Sequence, residues 1–178
     1  GVGCNAFGAR IDAEQTKAVV DAAIEQGITL FDTADSYADG ASEQLLGRAL
    51  GKRREDVVVA TKFGMGDHDA EHFGAHGSRR YVRRAVEASL RRLGTDYIDL
   101  YQLHRPDPIT PIDETLSAMS DLVAEGKVRY IGSSNLTAWQ VADADWVART
   151  SGLHRFVSAQ NEYSLYNRAA EHELVPAC

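Results

Sequence analysis

Asp32, Tyr37, Lys62 and His104 bring together a carboxylate, a phenol, an ammonium and an imidazole. An ammonium beside a phenol favours the phenolate left behind when the phenol gives up its proton. A carboxylate next to the ammonium keeps it charged and oriented, and an imidazole adds a hydrogen-bond donor. Such a group polarises a carbonyl oxygen and protonates it while a hydride arrives from the other side. Each residue alone has a plainer reading. Lys62 reads as a solvated or salt-bridged strand-end lysine, Asp32 as a turn cap that Asp35 can replace, Tyr37 as a surface or packing tyrosine and His104, ahead of Arg105-Pro106, as a structural histidine. Their shared position at the ends of strands speaks for joint use.

Those strands alternate with helices. A helix is expected over 12–26, with Asp12 as cap and Gln15 three residues on, followed by a short buried strand over 28–31. Ser42 opens a second helix, and the apolar run 57–60 reads as a strand covered on both faces. Val82, Val86, Leu90 and Leu93 recur at helical spacing after Ser78, and a strand is expected over 97–101. Thr110 as cap with Pro111 in the first turn starts a fourth helix, followed by a strand over 128–131. Thr137 with Gln140 starts a fifth helix, and a strand over 156–159 and a helix over 168–175 complete the pattern. With residues 1–5 as the end of a first strand, six strands alternate with six helices, which implies parallel strands and right-handed crossovers.

An open dinucleotide-binding sheet would show GxGxxG after its first strand, and Gly1-Val2-Gly3-Cys4-Asn5-Ala6 lacks it. Asp32, Lys62, His104, Ser134-Asn135 and Gln160-Asn161 end successive strands instead, as residues converging on the mouth of a barrel do. The expected fold is α/β, a (β/α)8 TIM barrel of which the chain covers about six units in one domain over residues 1–178.

Composition sets the surrounding limits. The 178 residues are 44% apolar and 25% charged, ordinary for a globular chain, and the net charge of −7 argues against nucleic-acid binding. No apolar run is long enough to span a membrane. Cys4 and Cys178 form no disulfide framework, so a reducing, cytoplasmic setting is expected. His68, His72 and His76 are spaced by four within the loop 64–77, but its glycines oppose a helix that would align them, so a mobile loop is expected rather than a metal site.

The sequence resembles the aldo-keto reductases. The resemblance rests on Phe31-Asp32-Thr33-Ala34-Asp35-Ser36-Tyr37, Ala60-Thr61-Lys62, the stretch from Asp96 to His104, the stretch from Gly126 to Asn135, and Gln160-Asn161-Glu162-Tyr163. His104-Arg105-Pro106-Asp107-Pro108 is similar to the branch that includes bacterial aldo/keto reductases and the potassium-channel β subunits. The resemblance implies reduction of an aldehyde or ketone by NADPH, with NADH as the alternative. It implies Tyr37 as proton donor, Lys62 and Asp32 as its electrostatic partners, and His104 as the group that orients substrate. His104 favours carbonyl over carbon–carbon double-bond reduction, because members of the family that reduce double bonds carry Glu there. Ser134, Asn135 and Gln160 match the residues that hold the nicotinamide carboxamide, and Gly3, Cys4 and Asn5 match the segment beneath the cofactor. Cys4 reads equally as a small buried core residue.

The family's seventh and eighth strands, with the aromatic that stacks on nicotinamide and the loop that grips the adenosine phosphate, are expected to lie outside this sequence. Residues 1–178 alone are therefore expected to bind NADPH poorly and to turn over little. Two other readings compete: a cofactor-binding regulatory protein on the same fold, and an aldolase forming a Schiff base through Lys62, which a charged pairing with Asp32 opposes. The expected partner is a small carbonyl compound. Oligomeric state and physiological substrate are not legible.

Overall fold

The structure, a computed structural model, describes residues 1–65 and 75–178. Six strands, β1 (Val2–Gly3), β2 (Leu30–Asp32), β3 (Val58–Phe63), β4 (Ile98–Leu103), β5 (Val128–Ser134) and β6 (Ala159–Gln160), form one sheet in the order of the sequence. Every neighbouring pair is parallel. Sequential order has no topological switch point, so the sheet is wound as a barrel and not as a doubly wound fold. It is also curled: Gln160 at the end of β6 donates from Nε2 to Asp32 Oδ2 at the end of β2, 2.9 Å away. The result is a partial (β/α)8 barrel.

The connecting helices are α1 (Ala13–Glu25), α2 (Ala41–Leu50), α3 (Arg79–Leu93), α4 (Ile112–Ala124) and α5 (Ala138–Ser151), with a last turn α6 (Leu174–Ala177). Local chemistry starts them where the sequence predicts. Asp12 accepts from Gln15 N–H at 2.9 Å, and the Gln15 side chain accepts in return from Asp12 N–H at 3.1 Å. Ser78 Oγ accepts from Tyr81 N–H, and Gln140 Oε1 accepts from Thr137 N–H. Two starts are corrected: α2 begins at Ala41 with Gly40 as its cap, and Ser42 inside it donates to Cys4 O at 2.7 Å; Pro111, in extended conformation, is the cap of α4, so Thr110 lies outside it.

The strands run later than their apolar cores suggest, because backbone pairing continues into the polar residues. Lys62 lies inside β3 and Ser134 inside β5. The strand expected over 156–159 is regular only at Ala159–Gln160, although Val157 N–H already donates to Ile131 O at 2.9 Å, and Val157 is 61% exposed. The helix expected over 168–175 breaks into a 3-10 turn, Ala169–Glu171, and the four residues of α6. Leu174 alone is buried there, too little packing to offset the cost of nucleating a longer helix.

Register sorts the side chains onto two faces. Phe31, Val59, Thr61, Tyr101 and Ile131 are aligned and point toward the helices, each buried. Gly3, Asp32, Ala60, Leu100 and Tyr130 share one level of the inner face, and Lys62, Gln102 and Gly132 the next level toward the mouth. Helices pack closely where they can: a Cβ on Gly47 of α2 would lie 2.1 Å from the carbonyl oxygen of Leu93 in α3, so only glycine allows that approach. No helix among the described residues is long and apolar enough to cross a membrane.

Candidate active site

The chain leaving β2 stays bound to β3. Thr33 N–H donates to Ala60 O and Asp35 N–H to Lys62 O, at 2.9 and 3.0 Å, and Tyr37 N–H then closes a turn onto Ala34 O. This carries Tyr37 from the end of β2 to the side of Lys62. The Lys62 ammonium lies 5.2 Å from the centroid of the Tyr37 ring, and the ring meets that of His104 edge-on at 5.9 Å. Lys62 Nζ donates to both oxygens of Asp32 at 2.7 Å and to Thr33 O at 3.0 Å. Its three N–H groups thus have acceptors, and it faces the phenol as an oriented charge. The lysine is 2% exposed, so little solvent screens that charge.

His104 follows β4, fastened by its own N–H to Phe63 O at 2.8 Å and by Asn135 Nδ2 donating to its carbonyl at 2.9 Å. Burial, then the positive charges of Lys62 and Arg105, lowers its pKa to about 4. The imidazole is neutral at pH 7. Nδ1 is buried without a partner among the described residues. An unpartnered acceptor costs less than an unpartnered N–H, which favours the tautomer with the proton on Nε2.

Of the other residues singled out in the sequence, Ser134 and Gln160 are register partners on β5 and β6, and Asn135 follows in a left-handed conformation with φ 59°. Asn135 Nδ2 also contacts Ser134 Oγ at 3.0 Å. These hydroxyl and amide groups complement a primary carboxamide, which both donates and accepts hydrogen bonds. Gly3 and Asn5 are exposed, whereas Cys4 between them has no exposed surface. Burial pushes the Cys4 thiol up to about 12, so it is no thiolate, and any contact it makes with a ligand falls to its backbone. His68 and His72 lie outside the described residues, and the His76 ring packs on Tyr81 at 4.9 Å.

Sequence reasoning missed two groups. Gln102 is the inward neighbour of Lys62, 2% exposed, and contacts Gln160 and Ser158 at 3.4 and 3.5 Å; the available signal was one amide inside a buried strand. Glu43 of α2, with no exposed surface, accepts from Thr61 Oγ1 and from Arg92 Nε, both at 2.6 Å. Asp35 lies near it with a buried oxygen lacking a partner among the described residues, and burial and the Glu43 charge raise its pKa to about 7. Asp32, not Asp35, holds the lysine.

The whole sequence, residues 1–178, matches the pattern of the Aldo/keto reductase family. A probable aldo-keto reductase 1 from Glycine max is 40% identical over all of this chain and 51% of its own length. The versiconal hemiacetal acetate reductase of Aspergillus parasiticus is 37% identical over 99% of this chain and 59% of its own. An aldo-keto reductase from Fusarium vanettenii is 38% identical over 94% of this chain and 52% of its own. The chain thus spans little more than half the length of these relatives. With six parallel strands in sequential order and a match from first residue to last, this chain belongs to the aldo/keto reductase family.

Proposed function

We propose that this chain carries the proton-donating and nicotinamide-facing part of an oxidoreductase that reduces aldehydes or ketones to alcohols, with NADPH as cofactor and NADH as the alternative. The observation that carries this reading is the convergence of Tyr37, Lys62, Asp32 and His104 at one end of the inner face. When bound, the cofactor supplies the hydride. Ser134, Asn135 and Gln160 would hold its carboxamide, with the backbone of Gly3, Cys4 and Asn5 beneath.

A carbonyl oxygen placed between Tyr37 and His104 meets two donors. His104, with a pKa of about 4, is neutral at pH 7 and carries no second proton to transfer, so it donates a hydrogen bond from Nε2 and orients the oxygen. Tyr37 transfers its proton to that oxygen as negative charge develops there. The Lys62 ammonium stabilises the phenolate that remains, and Asp32 keeps that ammonium charged and in place. A lysine so held is a poor Schiff-base nucleophile.

The test is turnover of a panel of aldehydes by the full-length protein, parent and Tyr37→Phe, with cofactor binding followed by fluorescence quenching for NADPH and NADH separately. The reading expects turnover at or above ~1 s⁻¹, lost in the variant with cofactor binding retained. Micromolar cofactor binding with turnover far below that rate marks a regulatory binding protein instead.

A further inference from the structure

The loop that carries Tyr37 is held from the side away from the mouth. Ala38 and Asp39 have φ of 49° and 53°, and Gly40 has φ 86°, so three successive residues are left-handed. Side-chain-bearing residues avoid this conformation and keep it only where their surroundings over-determine it. Arg92 of α3 provides those surroundings. A Cβ on Gly40 would lie 2.6 Å from Arg92 Cδ and 2.8 Å from its Nε, so the arginine stem rests directly on the loop backbone. Arg92 Nε donates to Glu43 Oε2 at 2.6 Å, and a terminal nitrogen donates to Ser89 Oγ at 3.2 Å. The other oxygen of Glu43 accepts from Thr61 Oγ1 at 2.6 Å.

Thr61 directly precedes Lys62 on β3, and the pleat sends their side chains to opposite faces. An unbroken run of contacts therefore leads from the backbone three residues past Tyr37, through Arg92 and Glu43, to the residue next to Lys62. Its charged joints are shielded from water: Glu43 has no exposed side-chain surface and Arg92 is 23% exposed. Buried ion pairs are weak sources of stability, and fixing one arrangement among several is the use best attested for them.

We propose that Arg92 and Glu43 are positioning residues that set the Tyr37 phenol against the Lys62 ammonium, bracing the loop after β2 to β3 from behind. This rests on the reading of Tyr37 as proton donor. A brace differs from ordinary packing in what its loss does: cofactor and substrate still bind, and protonation slows.

The experiment uses the full-length protein with Gly40→Ala, Arg92→Lys, Arg92→Gln and Thr61→Val, and Tyr37→Phe alongside. Gly40→Ala drives a methyl group into Arg92 and removes no charge; Thr61→Val removes one hydroxyl from the brace and little volume. In Gly40→Ala, kcat falls about 10²-fold, as for a reacting group moved by an ångström, while the aldehyde KM and the NADPH dissociation constant stay within about threefold. The solvent deuterium isotope effect on kcat rises, because proton transfer becomes slow. Thr61→Val shows the same changes more weakly, and Arg92→Lys, which can still reach Glu43, retains more rate than Arg92→Gln. Parental kcat and isotope effect in folded Gly40→Ala and Thr61→Val, with Tyr37→Phe inactive, overturn the brace and leave the proton donor standing. Parental kcat in Tyr37→Phe overturns the proton donor, and the brace as a device for positioning it. Should circular dichroism show Gly40→Ala unfolded, Thr61→Val decides by the same criteria.

Discussion

An ion pair lies against each face of β3, and the two are opposites in access. On the inner face Lys62 is 2% exposed and its partner Asp32 19%. On the outer face the carboxylate is the hidden member, Glu43 at 0%, and its partner Arg92 is 23% exposed. The faces themselves differ in the same sense. Phe31, Val59 and Tyr101 on the outer face are wholly covered by helices, whereas Leu30, Val58 and Tyr130 on the inner face are 41%, 43% and 60% exposed. Similar ionic chemistry therefore has different consequences. The inner pair presents a fixed positive charge to a phenol that a ligand can reach; the outer pair presents an arginine stem to the backbone of the loop at Gly40. What a buried charge does follows from what lies beyond its partner.

Breaking the inner pair should give the largest effect on chemistry. In the full-length protein, Tyr37→Phe is expected to lower kcat by about 10²-fold or more while leaving cofactor affinity nearly unchanged, as loss of a general acid does. Lys62→Met removes the charge that faces the phenol and leaves Asp32 without its cation, so a fall at least as large is expected. Steady-state kinetics with fluorescence titration of NADPH measures both. Near-parental turnover in Lys62→Met would mean that the Lys62 charge takes no part in the chemistry.

Breaking the outer pair from the other side should register first in stability. Arg92→Ala would strand Glu43 as a buried, uncompensated carboxylate, at a cost of ~3–5 kcal/mol. Replacing Glu43 and Arg92 together by Gln and Met should recover most of that loss, because no charge is then left alone. Urea unfolding of the two variants makes the comparison, and equal midpoints would deny the pair its burial.

The inner pair was legible in the sequence and the outer one was not. Asp32, Lys62 and His104 each close an apolar run, so a one-dimensional reading places them at strand ends, and a parallel sheet brings strand ends together whatever the details. Glu43 looks like any glutamate in the first turn of a helix. Its burial depends on Arg92, 49 positions away, and Thr61, 18 positions away, arriving from different elements. Gln102 was hidden for the same reason, since inward and outward positions of β4 are told apart only by register with Lys62. The helix expected over 168–175 failed on packing: the pattern offered apolar residues, and only Leu174 found a partner.

The inner face should also make stability fall in mild acid. The folded-state pKa of His104, about 4, lies below its unfolded value near 6.5. Above pH 6.5 the residue is neutral in both states and contributes no slope. As pH falls from 6.5 to 4 the unfolded chain takes up the proton first, so stability is lost across that window. Melting temperatures measured from pH 7 to pH 4 should drop less steeply in His104→Asn than in the parent. Parallel curves would place the imidazole in water.

The opposite pH dependence is expected at Asp35, which lies beside the outer pair and runs against His104. Its carboxyl, raised to about 7, stays protonated in the fold while the unfolded chain ionises near 3.8. Between those values the unfolded state holds fewer protons than the folded one, so Asp35 makes stability decline as pH rises, the reverse of the usual carboxylate. The cause is geometric. One oxygen is buried without a partner among the described residues, and Glu43 stands near enough for its charge to oppose a second one. Asp35→Asn keeps the shape and removes the charge. It should leave stability at pH 4 almost unchanged and raise it at pH 7, because only there does the unfolded chain gain from an ionisation that the folded site resists. Urea midpoints at the two pH values give the answer. A variant less stable than the parent at pH 7 would show that ionised Asp35 is held by a partner, and that the outer network takes two negative charges where this account allows it one.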